Sequence, residues 1–396
     1  MANHCDRLVV LGATGSIGAS ALEVVGELGD RIEVVGLACH GSWRKLAALA
    51  ARWHPRAVAI ADENAWREAR SAAAFGSGVR ILGGASGLVE LAAMDDVDVV
   101  LNGIVGAAGL LATLAALEAG KRVALANKES LVVGGELVAA AAGGSLLDSG
   151  RVLPVDSEHN AIWQLLAGRR SDEVRRIVLT ASGGPFRRTP AERLARVTPE
   201  EALAHPTWDM GPKITIDSAT LANKGLEVIE AHHLFGLPYD RIDVVVHPQS
   251  IVHGLVEWSD GTLFAELGKP DMRVPIRSAL AWPDRADGPH ADLAELAGLT
   301  FESPDLDRFP ALAIARAAGE AGGTAPAVFN AANEVAVALF LERRIAFPDI
   351  AGLCARVLDA HQPRPVDSIT TLMEADRWAR EEARARGGRQ ARAAST

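Results

Sequence analysis

Over roughly the first 155 residues, short apolar runs alternate with longer stretches whose apolar side chains recur every three to four positions. The runs lie at 8–11, 32–39, 57–61, 79–82, 97–101, 122–126 and 151–155, and alanine-rich segments of helical period fill the intervals. A strand covered on both faces reads as a continuous apolar run, whereas a helix lying on a sheet keeps one polar side. The alternation therefore predicts an α/β fold with an N-terminal Rossmann-like, doubly wound parallel sheet.

Near residue 174 the rhythm changes. Strands are expected at 176–180, 241–246, 251–258 and 262–266, the last two joined at Ser259-Asp260-Gly261, which predicts an α+β second domain. Residues 283–304, rich in Asp, Pro, Gly and His, read as a linker. Helical periodicity at 311–321, 325–343, 347–360 and 368–386 predicts a C-terminal helical bundle. The expected organisation is a nucleotide-binding domain at 1–153, a catalytic domain at 154–282, a linker at 283–308, a helical domain at 309–388 and a disordered tail at 389–396.

The first run meets Gly12-Ala13-Thr14-Gly15-Ser16-Ile17-Gly18, followed by an amphipathic segment to Leu28. Strand, glycine loop and helix in that order let backbone approach a pyrophosphate resting on the helix amino end. The spacing G-x-x-G-x-x-G also suits a plain glycine-rich turn, but its place at the opening of a βαβ unit favours a dinucleotide. An NAD site usually carries an acid at the end of the second strand. Here residues 32–39 run into His40-Gly41-Ser42-Trp43-Arg44-Lys45, without an acid, so a 2′-phosphate and NADP are favoured. Ser42 suits a helix N-cap equally well. Asn127-Lys128-Glu129 directly follows a strand and should face the crevice, with Lys128 either a surface lysine or a cation near nicotinamide and substrate.

Pro154-Val155-Asp156-Ser157-Glu158-His159-Asn160 joins an expected strand to an expected helix. Asp156 and Glu158 have two readings. They are helix-start acids, one a cap and one favoured by the helix dipole. Alternatively they are ligands of a hard divalent cation, which typically takes one or two carboxylates. Further on, Ala181-Ser182-Gly183-Gly184-Pro185-Phe186 suits either an anion-binding turn or an ordinary one. His205-Pro206-Thr207-Trp208-Asp209-Met210-Gly211 reads as a lid or as a loop with a packed aromatic. The stretch 217–227, D-S-A-T-L-A-N-K-G-L-E, reads as a helix start, placing Asn223, Lys224 and Glu227 on one side. Lys224 and Glu227 suit a helix salt bridge; with Ser182 and Ser218, Asn223 and Lys224 also suit a phosphate site, leaving Glu227 as a third metal carboxylate. Gly225 in mid-helix costs about 1 kcal/mol relative to Ala, which suggests close approach by another group.

Composition narrows the field. The 396 residues are 49% apolar and 23% charged, an ordinary globular balance, and the formal net charge of −10 argues against a nucleic-acid surface. Cys5, Cys39 and Cys354 follow no metal-ligand spacing, so a reducing, cytoplasmic setting is expected. With the first strand expected at Leu8 and no apolar run of about 18 residues, neither a targeting segment nor a membrane span is expected.

Taken together, the glycine loop at 12–18, Ala126–Ser130 as A-N-K-E-S, P-V-D-S-E-H-N-A, T-A-S-G-G-P-F, H-P-T-W-D-M-G, D-S-A-T-L-A-N-K-G-L-E and Asn330–Val335 as N-A-A-N-E-V make the chain resemble the 1-deoxy-D-xylulose 5-phosphate reductoisomerase family over nearly its whole length. The resemblance implies a homodimeric enzyme, with dimerisation through residues 154–282. It implies NADPH and Mg²⁺ or Mn²⁺ (Co²⁺ also suited) as cofactors and a phosphorylated sugar as substrate. It implies Asp156, Glu158 and Glu227 as metal ligands and Ser157 and Lys224 at the substrate's hydroxyl and carbonyl region. Ser182, Ser218, Asn223 and Lys224 would hold the phosphate, with His205, Trp208 and Met210 in a lid; Lys128 and His205 join the catalytic set. Cofactor contacts would come from Gly12, Thr14, Gly15, Ser16, Ile17, Gly18, Gly41, Ser42, Trp43, Asn127, Lys128, Glu129, Gly211 and Met272. After Gly41-Ser42 the family usually has Asn, where this chain has Trp43, a ring suited to stack on adenine.

The implied reaction rearranges a ketose phosphate and then reduces the resulting aldehyde, giving 2-C-methyl-D-erythritol 4-phosphate for isoprenoid synthesis by the non-mevalonate route. A simple NADP-dependent sugar or semialdehyde dehydrogenase would share the first domain without needing three acids. An NADP-sensing regulator would have no use for the acids or the serine-bearing turns.

Overall fold

Every apolar run of the N-terminal region forms a strand: β1 (Asp6–Leu11), β2 (Ile32–Cys39), β3 (Ala57–Ile60), β4 (Arg80–Gly83), β5 (Val99–Asn102), β6 (Arg122–Leu125) and β7 (Val152–Pro154). These are seen in a computed structural model that describes residues 5–205, 207–208, 210–292 and 298–393. All neighbours are parallel, in the order β4-β3-β2-β1-β5-β6-β7. Leu8, Val9, Val10 and Leu11 are fully buried, as a strand covered on both faces requires. The order reverses between β1 and β5, and in such sheets ligands bind beyond the strand ends at this switch point.

The chain divides into two compact units. The first comprises Met1–Ser130, Val138–Asn160 and Asp271–Pro289; the second comprises Leu131–Leu137, Ala161–Pro270 and His290–Thr396. The sequence places 271–282 with the catalytic strands, yet this segment packs in the first unit. Its helix Arg273–Ala281 pairs Arg277 with Glu27 and sets Arg273 3.6 Å from Glu23, both acids on the helix Ser16–Leu28.

In the second unit β8 (Val174–Ala181), β9 (Ile242–Val246), β10 (Val252–Trp258) and β11 (Leu263–Leu267) form a mixed sheet ordered β11-β10-β8-β9. Only β8 and β9 run parallel. Part of the expected linker is fastened to this sheet through a bridge between Val246 and Glu302 and a hydrogen bond from Gln249 to Thr300 Oγ1 at 2.8 Å; 293–297 lie outside the described residues. The C-terminal helices are Ala311–Ala321, Ala325–Leu341, Asp349–Asp359 and Ile369–Ala393. The last helix continues past Arg386, where the sequence suggests an end. Ala375, Ala379 and Ala383 form a buried stripe, and Arg386 pairs with Glu382 one turn back at 2.6 Å. Of the expected tail, 389–393 are helical and 394–396 lie outside the described residues.

The stretch 217–227 is not one helix start but the meeting of two helices. Asp217 lies in Pro212–Thr220, Leu221 takes a left-handed conformation with φ of 62°, and Ala222–Phe235 begins at once. The close approach suggested by Gly225 is real: a Cβ there would collide with that of Ala315 on the helix Ala311–Ala321. Among the described residues no helix is long and apolar enough to cross a membrane, and Cys5, Cys39 and Cys354 are all free thiols.

The Gly225 contact leaves no room for a branched side chain. Gly225→Val is expected to destabilise the protein by about 1–3 kcal/mol through overpacking, measured as a lowered denaturation midpoint in urea. A midpoint equal to that of the unaltered chain would contradict the contact.

Candidate active site

Within the first unit, β1 delivers Gly12 and Thr14 to the switch point, and the helix Ser16–Leu28 starts from Gly15 without a side-chain cap. Its first amides are therefore open to an anion. A Cβ on Gly18 would strike the carbonyl of Gly12, so the loop folds tightly enough for Ser16 and Ile17 to open the helix. Thr14 Oγ1 lies 2.8 Å from Ser42 Oγ, joining the loops after β1 and β2. Gly41 and Ser42 precede the helix Trp43–Trp53, where Ser42 occupies the N-cap position but makes no side-chain cap bond. Arg44 lies 4.2 Å over the Trp43 ring, and the Trp43 indole N–H donates to Glu68 at 3.3 Å. One face of that ring is thus already covered by a guanidinium.

Asn127 is buried and organises the loops around it. Its Nδ2 donates to Ile104 and Gly106 carbonyls at 2.7 and 2.9 Å, and its Oδ1 accepts the Ser130 amide at 3.0 Å. It shapes the loop after β5, with Glu129 Oε2 accepting from the same Nδ2 at 3.1 Å. Lys128 is no surface lysine. It is 6% exposed, and its ammonium pairs with Asp156. Met272 immediately precedes the helix Arg273–Ala281 and is half-buried.

Asp156 follows β7, and Ser157 and Glu158 open the helix Ser157–Leu166, as the sequence implies. Ser157 Oγ donates to Glu158 Oε2 at 2.6 Å. Asn160 donates to the Pro154 carbonyl at 2.8 Å, pinning the strand end beneath the acids. Sequence reasoning passed over His159, which is fully buried with Nδ1 4.0 Å from Asp156. Its spacing of three from Asp156 at a helix start was the available signal.

Within the second unit, β8 ends at Ala181, just before Ser182. The following turn has Gly183 and Gly184 at φ of 81° and 65°, and a Cβ on Gly184 would come within 2.9 Å of the Ala219 Cα. That close approach is what brings Ser182 near Ser218. His205 stands between them, its Nε2 3.0 Å from Ser182 Oγ and 3.1 Å from Ser218 Oγ. Nδ1 accepts the backbone N–H groups of Thr207 at 3.2 Å and Trp208 at 2.9 Å, so Nε2 carries the proton of the neutral ring. Burial lowers the His205 pKa from its ordinary value. Trp208 and Met210 are half-buried, and Gly211 starts the helix Pro212–Thr220; Pro206 and Asp209 of the expected lid lie outside the described residues.

Asn223, Lys224 and Glu227 do share one side of their helix. Glu227 accepts from Asn223 and from the Lys224 ammonium, and Lys224 and Glu227 are 3% and 1% exposed. The helix salt bridge expected from the sequence is present. Burial makes the pair something other than a surface bridge worth a few tenths of a kcal/mol. The site residues thus form four groups: nucleotide loops, an acid–lysine pair after β7, Ser182 and Ser218 on either side of His205, and Asn223 and Lys224 beside Glu227. Carboxylate oxygens fit a hard cation, and the uncapped helix start fits a pyrophosphate.

Comparison with known proteins agrees over the whole chain. Family models described as 1-deoxy-D-xylulose 5-phosphate reductoisomerase, its C-terminal domain, and DXP reductoisomerase C-terminal domain match residues 8–135, 152–235 and 267–382. A model described as FAD binding domain also matches 104–183, a stretch without the glycine loop. The chain is 53% identical over 381 residues to the 1-deoxy-D-xylulose 5-phosphate reductoisomerase of Chlorobium chlorochromatii, covering 95% of this chain and 98% of that one. It is 53% identical over 389 residues to that of Anaeromyxobacter dehalogenans, covering 98% of each. The solved structure of the Zymomonas mobilis enzyme in complex with NADPH is 46% identical, with a TM-score of 0.89 over 97% of this chain and 99% of that one. A crystal structure of DOX-P reductoisomerase with NADPH, fosmidomycin and magnesium is 40% identical, with a TM-score of 0.87 over 96% and 98%. The chain belongs to the 1-deoxy-D-xylulose 5-phosphate reductoisomerase family.

Proposed function

We propose that this chain performs its family's reaction with Asp156, Glu158 and Glu227 as ligands of Mg²⁺ or Mn²⁺ and with Ser182, Ser218, Asn223 and Lys224 as the phosphate site. The reaction is the NADPH-dependent rearrangement and reduction of 1-deoxy-D-xylulose 5-phosphate to 2-C-methyl-D-erythritol 4-phosphate. The observation that carries the site assignment is Glu227, 1% exposed and held beside Lys224 and Asn223, just past the corner from Ser218. An acid, an amide and an ammonium gathered on one helix, past the corner from Ser218, are groups suited to a cation and a phosphate together.

When bound, the cation supplies Lewis-acid stabilisation of charge on adjacent substrate oxygens, worth several kcal/mol, and NADPH supplies the hydride. The chain's own groups do the rest. Ser182 and Ser218 offer hydroxyls to the phosphate, and Lys224 offers a charge at one end of the same anion. Binding energy from this remote group holds the reacting carbons in place. Lys128 fixes the Asp156 carboxylate, and Ser157 offers its hydroxyl to the substrate's oxygens. His205, Trp208 and Met210 cover the bound sugar and exclude water, protecting the aldehyde until reduction. For the cofactor, Gly12, Thr14, Gly15, Ser16, Ile17 and Gly18 cradle the pyrophosphate, Gly41, Ser42 and Trp43 meet the adenosine end, and Asn127, Lys128, Glu129, Gly211 and Met272 line the nicotinamide end.

The enzyme works as a homodimer in the cytoplasm on this reading. Free thiols at Cys5, Cys39 and Cys354 suit a reducing compartment. The edge strand β11 exposes Leu263 and Leu267 at 54% and 40%, and such an edge is usually covered by a partner.

Glu227→Gln is expected to lower turnover by roughly two orders of magnitude or more with NADPH affinity little changed, read from steady-state kinetics and fluorescence titration. Near-normal turnover of the folded variant would remove Glu227 from the metal site. Treatment with a chelator should abolish NADPH oxidation and added Mn²⁺ should restore it. Full activity in chelator would instead favour a simple NADP-dependent dehydrogenase.

A further inference from the structure

We propose that Asn333, on the C-terminal helix Ala325–Leu341, is a positioning residue for phosphate recognition, acting through Asp217 on Ser218. The inference rests on the assignment of Ser218 to the phosphate site. Asn333 is 1% exposed, and its Nδ2 donates to Asp217 Oδ1 at 2.7 Å. Asp217 is equally buried, and its Oδ2 lies 2.9 Å from Lys213 Nζ one turn back on the same helix. The carboxylate is thus gripped from its own helix on one side and from the C-terminal bundle on the other.

A carboxylate offers only acceptors, so the Asn333 amide must turn Nδ2 toward Asp217. That orientation leaves Asn333 Oδ1 buried and without a hydrogen-bond partner among the described residues. An unpaired buried carbonyl is costly, and an apolar side chain of similar volume would avoid that cost. Packing alone therefore does not account for an asparagine here. What the amide provides is a directional hold on Asp217, the residue immediately before Ser218.

The geometry beyond Asp217 makes that hold matter. Ser218 lies in the last turn of Pro212–Thr220, and Leu221 alone joins this helix to Ala222–Phe235, which carries Asn223 and Lys224. Thr220 Oγ1 donates to the Ile216 carbonyl at 3.1 Å and accepts the Ala222 amide at 3.3 Å, tying the corner together. A rotation of the first helix about its axis would carry Ser218 away from its 3.1 Å contact with His205 Nε2 and shift the corner that presents Asn223. Asn333 resists that rotation from outside the helix pair.

The test is Asn333→Leu in the full-length enzyme with NADPH and Mn²⁺. We expect KM for 1-deoxy-D-xylulose 5-phosphate to rise about tenfold or more while kcat changes less than about threefold. The inhibition constant of inorganic phosphate should rise in parallel with NADPH affinity unchanged, and the thermal midpoint should fall because Asp217 Oδ1 loses its buried donor. In a Ser218→Ala background the same substitution should add less than about twofold, since both act through one contact. Asn333→Ser, which keeps a donor but shortens its reach, should give an intermediate KM and serves as the test if the leucine variant does not fold. Unchanged KM and phosphate inhibition would overturn the inference, as would a joint loss of kcat and NADPH affinity, or a full additional penalty in the Ser218→Ala background. An unchanged KM in Ser218→Ala itself would overturn the phosphate assignment of Ser218, and the inference with it.

Discussion

Carboxylates taken out of water must meet positive charge, and three such meetings fall on or beside the expected site residues. Asp156 pairs with Lys128, Asp217 with Lys213 and Glu227 with Lys224, and the acid side chains are only 13%, 1% and 1% exposed. An unpaired buried carboxylate costs several kcal/mol, so each lysine is required by the acid it neutralises. The pairs also dictate what lies around them. Lys128 reaches Asp156 because β6 and β7 are neighbours in the sheet and both deliver their following residues at the same end. Lys224 reaches Glu227 because three residues of helix place them on one side.

The role of the C-terminal helices follows from the same constraint. They carry none of the expected site residues, yet Ala315 packs against Gly225 and Asn333 holds Asp217. Both contacts fall on the two helices that carry Ser218, Asn223, Lys224 and Glu227. The bundle thus packs as a brace against the helices that carry these side chains.

Much of the fold was legible because a two-sided parallel sheet writes its strands as apolar runs, and the seven strands fall on those runs. The glycine loop was legible because few backbones other than a strand-to-helix turn need that spacing. Asp156 and Glu158 stood out as acids at a strand end. Their partners did not, since Lys128 lies 28 positions earlier and only the sheet order brings it near. His205 between two serines was equally hidden, for it depends on Gly184 packing against Ala219. The last helix outruns its expected end because Gly387, which in sequence marks an end, packs against Leu339 and stays buried. Trp43 is a ring suited to stack on adenine, and nothing in the sequence indicates that Arg44 covers one face of it.

Leu221 joins two helices with a single residue held at φ of 62°. A connection of this length contains no slack. Adding or deleting one residue would turn the second helix by about 100° relative to the first, swinging Lys224 and Glu227 out of line with Ser218. Length variation in the polypeptide is therefore ruled out at this hinge point, whatever side chains occupy it, and grafting the segment into another scaffold would require transplanting both helices as one piece.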